Sequence, residues 1–162
     1  MGATNEYSTQ YAAAVNTVPS VHQVPSEIGG RVRYIRANFT QGAAAGDATS
    51  TSTLAKLPAR ARVLGHLSKI YFSSFGAART LDVGYAAGTS ILDGSAITAD
   101  PDLFATAVDV SSAGSMVLDE AGTSGALHGK RFDGEVDILA TVAGGTIPAA
   151  ATIDMHLFYV VD

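Results

Sequence analysis

The chain has 162 residues and a mass of 16.5 kDa, the size of one domain. Hydrophobic residues make up 47% and charged residues only 15%, against about 25% charged in an average soluble domain, so the chain is too apolar to be disordered throughout. The absence of Cys excludes a disulfide scaffold or a thiolate zinc centre, and a net charge of −5 argues against general nucleic-acid binding.

Residues 1–28 read as an extended N-terminal arm. The first ten residues are polar and have no period. Val15, Val18, Val21 and Val24 then recur every third residue, with Pro19 and Pro25 among them. The prolines block a continuous helix and favour an extended or polyproline-like backbone. An arm of this length, fully extended, reaches roughly 90 Å, far enough to order on a neighbouring subunit. Gly29-Gly30 marks a hinge, and residues 29–162 form the second unit.

From Arg31 onward the signal is β. Residues 31–40 are rich in strand formers, and 49–57 resume after a Gly/Ala loop. Residues 62–75 form the longest strand-like apolar run, with Val63, Leu67 and Tyr71 on one face and Leu64, Ile70 and Phe72 on the other. Residues 79–85 alternate strictly, with Leu81, Val83 and Tyr85 facing one way. Asp93-Gly94 is a turn signal, and Asp100-Pro101-Asp102 predicts a short helix over 101–106. The loop 120–129 is expected to be exposed. In 132–142, Phe132, Val136, Ile138 and Val142 face the core, and in 152–161 the odd positions from Ile153 to Val161 do so. About eight short strands with frequent turns predict an all-β, jelly-roll-like β-sandwich.

Candidate chemistry is sparse. The longest apolar run, Leu157-Phe158-Tyr159-Val160-Val161, is far short of the ~20 residues of a spanning helix, so no membrane partner is expected. Residues 1–10 have no basic or apolar leader, which points to synthesis in a cytoplasm. His22, His66, His128 and His156 lack helical zinc spacing, although His66 and His156 fall in expected strands. No nucleophile elbow or phosphate loop occurs, so neither enzyme activity nor a cofactor is expected. Asp133, Glu135 and Asp137 line one strand, with Asp154 on the next, which raises calcium as a minor reading against a solvated or partner-facing acidic stripe. Seven of the ten basic residues lie between Arg31 and Lys69, and twelve of the fifteen acids lie from Asp82 onward. Such asymmetry, if it survives folding, suits docking in a fixed orientation. The expected partner contacts are Val15, Val18, Val21, Val24, Arg31, Arg33, Arg36, Arg60, Arg62 and Phe158.

The runs Leu57-Pro58-Ala59-Arg60-Ala61-Arg62-Val63-Leu64, Leu81-Asp82-Val83-Gly84-Tyr85, Ile91-Leu92-Asp93-Gly94-Ser95 and Val142-Ala143-Gly144-Gly145-Thr146, with the ending 157–162, carry a resemblance. Over roughly residues 30–162 the chain resembles head decoration, or capsid cement, proteins of tailed bacteriophages. The resemblance implies a β-sandwich on the outer capsid surface that staples major capsid subunits, acts as a homo-oligomer (trimer or dimer) and brings no catalytic residues. A tail, fibre or head–tail connector component is the alternative, and a carbohydrate-binding domain a more distant one, since Trp is absent.

Overall fold

The computed structural model describes residues 31–46, 51–118 and 130–161. The expected arm and the loop 120–129 lie outside them. Among the described residues the chain is all-β apart from one 3-10 turn, as its alternating pattern requires.

Among the described residues twelve strands run in order: β1 (Arg33–Thr40), β2 (Thr51–Leu57), β3 (Ala61–Val63), β4 (Lys69–Phe72), β5 (Thr80–Tyr85), β6 (Gly88–Thr89), β7 (Ala96–Ile97), β8 (Asp100–Asp109), β9 (Gly114–Val117), β10 (Arg131–Phe132), β11 (Val136–Ala143) and β12 (Thr152–Val161). One sheet has six strands and is built around β12. Along one edge β12 pairs with the whole of β1. Along the other it pairs first with β4 and then with β3. β9 and β10 extend the sheet outward from β4 and β3. The second sheet runs β2-β11-β5-β8, and β6 and β7 form a separate small hairpin.

The inward faces of the two sheets share one apolar core. Leu157, Ile153, Met155 and Ile70 from the first sheet and Leu81, Val83, Ile138 and Val142 from the second are fully buried within it. Burying each such side chain contributes about 1.5–3 kcal/mol.

Three expectations are corrected. The segment predicted as helix over 101–106 belongs to strand β8. β8 lies at the edge of its sheet, where Pro101, which lacks an amide hydrogen, is tolerated. Its ladder with β5 is irregular at two places. Ala107 adopts a left-handed backbone with φ 50°. The amide of Ala107 donates to Asp82 Oδ1 at 2.5 Å. These irregularities hide the strand's alternation from the sequence.

The run 62–75 is not one strand. A 3-10 turn at Gly65–Leu67 separates β3 from β4. The turn shifts the alternation, so Val63, Ile70 and Phe72 are buried while Leu67 and Tyr71 are exposed. It also takes His66 out of any strand. Likewise the run 132–142 is split between two sheets, with β10 in one and β11 in the other. The corner passes through Gly134, where a side chain would collide with the carbonyl of Thr89.

Candidate functional site

The outward face of the six-stranded sheet gathers the most distinctive side chains. In the register of β1 and β12, Tyr34 sits opposite Phe158, Arg36 opposite His156 and Asn38 opposite Asp154. In the register of β12 and β4, Tyr71 is opposite Asp154 and Lys69 opposite His156. All of these occupy the outward positions, because the odd residues of β12 fill the core.

The aromatic rings form a connected row. Tyr34 lies 5.0 Å from Phe158 and 5.8 Å from His156, centroid to centroid. Tyr71 meets His156 edge-on at 5.5 Å. The Tyr34 hydroxyl and His156 Nδ1 share a hydrogen bond of 2.8 Å, which fixes both rings. Tyr34 and Tyr71 remain 49% and 44% exposed, and Leu67 and Val32 are also exposed. The ammonium of Lys69 stands 5.1 Å from the Tyr71 ring centre, within cation–π range.

Charges border the row. Arg36 grips Asp154 with two hydrogen bonds of 2.6 and 3.1 Å. That contact, with a smaller Coulombic share, holds the Asp154 carboxyl below the usual carboxylate range and raises the Arg36 pKa. His156 Nε2 lies 3.6 Å from the same carboxylate.

The sequence's charge asymmetry survives folding. Arg36, Lys69, Arg62 and Arg131 occupy outward register positions of the six-stranded sheet, against Asp154. On the outward side of the four-stranded sheet stand Asp82, Asp109 and Asp137, against Lys56. Lys56 lies between Glu135 and Asp137, at 3.8 and 3.7 Å. The sandwich thus carries a basic aromatic face and an acidic face. Three strands that carry bases, β1, β3 and β4, enter the first sheet, and three that carry acids, β5, β8 and β11, enter the second, although β2 with Lys56 joins the second sheet and the late strands β9, β10 and β12 join the first.

The residues expected to make partner contacts are divided by the fold. Arg36, Arg62 and Phe158 share the outward face of the six-stranded sheet. Arg31 is exposed beside the start of β1, and Arg33, opposite Tyr159, belongs to the other parity. Arg60 is exposed in the turn before β3 with φ 64°. Val15, Val18, Val21 and Val24 lie outside the described residues. The acids raised as a calcium set are not together, because Asp154 is on the opposite sheet from Asp137 and is taken by Arg36. Among the described residues, no group of three or more His, Asp or Glu is placed to hold a metal ion. The expected contacts omit Tyr34, Tyr71 and His156. Their signal in the sequence is a large ring at the outward parity of a strand.

Two open clefts lie elsewhere. One, of about 340 Å³, is lined by Tyr85, Ser90, Leu92, Lys130, Phe132 and Asp133 among others. Its Lys130 ammonium donates to the Tyr85 hydroxyl at 2.7 Å and sits 4.7 Å from that ring centre. The other, of about 350 Å³, contains the Lys56, Glu135 and Asp137 group. Between them the tip of the β6–β7 hairpin exposes Ile91 and Leu92. Asp93 Oδ1 closes that tip by accepting from the amide and hydroxyl of Ser95, at 3.0 and 2.7 Å. These bonds lower the Asp93 pKa, the Ser95 amide most of all.

No protein-family model matches the chain, and no curated protein matches it. Two solved structures do share its fold. A chain in the capsid of Ralstonia phage GP4 is 26% identical, with a TM-score of 0.61, over 82% of this chain and 86% of that one. A chain in the cyanophage Pam1 capsid asymmetric unit is 18% identical, with a TM-score of 0.57, over 92% of this chain and 99% of that one.

Proposed function

We propose that the protein is a structural, non-enzymatic part of a phage virion, and within it a decoration or cement protein on the outer capsid surface. The observation that carries the reading is the likeness to a GP4 capsid chain over most of both chains, at 26% identity. The capsid likeness supports assembly with capsid subunits, and the two oppositely charged faces suit a molecule seated in one orientation. In this reading a jelly-roll-like body binds the major capsid protein and other copies of itself. Binding only to the assembled shell stabilises it by mass action, and repeated copies add avidity. The arm and the arginines of β1 and β3 supply the contacts.

Imaging of the intact particle tests the location. Density for this fold in hundreds of copies on the outer shell is the expected result. A few copies confined to the tail or connector would replace the cement reading with the tail reading. Deletion of residues 1–28 tests the arm: shell occupancy and particle resistance to heat should both fall. Unchanged occupancy and resistance would remove the arm from the contact set.

A further inference from the structure

We propose that the open edge of β1 pairs with the same edge of a second copy of this chain, antiparallel and across a two-fold axis, so that two six-stranded sheets join into one. The proposal rests on the reading above only in taking the partner to be another copy. It uses the backbone along a strand edge and leaves the outward ring-bearing face free. β1 pairs with β12 along one side, and among the described residues no strand pairs with its other side.

An unpaired edge offers a row of amides and carbonyls to any other chain, and folded proteins blunt the edges they do not use. The other outer strands are blunted. β8 carries Pro101, two ladder irregularities and the left-handed Ala107. β2 carries a bulge, where its ladder with β11 skips Leu54. β9 has four residues and β10 two. β1 has eight, contains neither Pro nor Gly, and keeps an unbroken register with β12 from Arg33 to Thr40. The groups on its open side follow from the ladder. The amide of Gln41, one step past the Thr40–Thr152 pair, donates to the Ala151 carbonyl at 2.8 Å. In an antiparallel ladder, successive residues turn their amides and carbonyls to opposite sides. The odd residues of β1 therefore bond to β12, and Tyr34, Arg36, Asn38 and Thr40 turn theirs to the open edge.

The side chains select one register. A slip of one residue would turn core-facing side chains outward, so even positions must meet even positions. With the two-fold axis at Ala37, Arg36 stands opposite the partner's Asn38, Tyr34 opposite the partner's Thr40, and Ile35 opposite the partner's Phe39. An axis at Arg36 would instead set two guanidinium groups directly opposite each other, which is unfavourable. An axis at Asn38 shortens the ladder and loses the Ile35–Phe39 contact. In the Ala37 register the half-buried Ile35 and Phe39 gain cover from the partner. Ala37, the smallest side chain of β1, meets its own copy in a non-hydrogen-bonded pair, where strands approach to about 4.5 Å. Arg36 is no obstacle, because Asp154 on the β12 side already holds its guanidinium. A two-fold contact of this kind closes on itself, so this edge joins two copies and does not propagate into a fibre.

The test uses the full chain, purified, so its failure leaves the virion reading standing. A contact confined to one strand edge is smaller than the standard interface of about 800 Å² per partner, so weak association is expected, at about 10–100 μM. Sedimentation velocity from about 5 to 500 μM should show the mass doubling with concentration. Asn38→Lys, at an exposed position, sets an ammonium opposite the partner's Arg36 at two symmetric places. It should weaken the doubling about tenfold and leave the thermal melt unchanged. The chain has no Cys, so Ala37→Cys supplies a single thiol. Mild oxidation should link that thiol to its own copy much faster than it links Lys56→Cys, on the other sheet. No doubling up to about 500 μM, doubling indifferent to Asn38→Lys, or equal crosslinking of the two cysteine variants would each overturn the proposal.

Discussion

The outward position of Asp154 on β12 sets it against Arg36 of β1, whose fork meets both carboxylate oxygens. Because Arg36 holds its pKa down, Asp154 stays ionised in the folded chain to lower pH than in the unfolded chain. The resulting stability is present above the unfolded-state pKa of about 4 and is lost as pH falls through the lowered folded value. Asp154→Asn should therefore be slightly less stable than the parent at pH 7, and the gap should narrow as pH falls through the lowered folded value and shrink in high salt. Thermal melts across pH would measure this. A gap that does not narrow at all as the solution is acidified would mean that Asn disturbs packing rather than charge. The residue scale was only partly legible in the sequence. Asp154 stood out as an acid, but its partner lies 118 positions away, and only strand register reveals it.

At the scale of the element, β12 and the break opposite it matter most. Between β3 and β4 the neighbouring chain leaves the ladder, and Ser68 repairs the gap. Its hydroxyl donates to the Leu64 carbonyl and accepts from the Phe158 amide, both at 2.9 Å, and the residue is fully buried. Leu64 N–H donates to the Phe158 carbonyl at 2.8 Å. Ser68→Ala leaves the Phe158 amide without its acceptor, which should cost about 1–3 kcal/mol and lower Tm by several degrees. A melt within a degree of the parent would show that another group takes over the amide. The alternating strands β5, β11 and β12 were readable, because an uninterrupted period of two has one physical meaning. Where the period was interrupted, by the turn at Gly65–Leu67 or the bulged ladder of β8, the sequence misled. The cap-like Asp100-Pro101-Asp102 signal is local, and pairing with β5 overrides it.

For the whole molecule, the separation of charge onto two faces is the property most visible in the sequence and most consequential in the structure. It was visible because the basic and acidic residues are segregated along the chain, and it persists because base-bearing β1, β3 and β4 share one sheet while acid-bearing β5, β8 and β11 share the other, even though β2 and the late strands β9, β10 and β12 cross that division. The aromatic row was not visible, since it joins residues from β1, β4 and β12. If the basic face meets an acidic partner, the double variant Arg36→Glu/Arg62→Glu should reduce particle occupancy at low salt. That deficit should narrow as salt rises, because the screening length falls to about 3 Å at 1 M. Lys56→Glu, on the opposite face, serves as the control and should change occupancy little. Occupancy assays on particles across a salt series would decide it, and equal loss from both faces would reject an oriented contact.

The central place of β12 also has a consequence in time. β1 is the first described strand and β12 the last, yet they are neighbours along the full length of β1. During synthesis the partners β1, β3 and β4 emerge long before the strand that joins them. Until β12 arrives, the inward side chains of those strands have no central strand to pack beside, and their open edges are free to pair wrongly. Closing so long a loop places the chain among β proteins that fold in milliseconds to seconds rather than microseconds. The strand that holds the finished sheet together is therefore also the one whose arrival sets when that sheet can form.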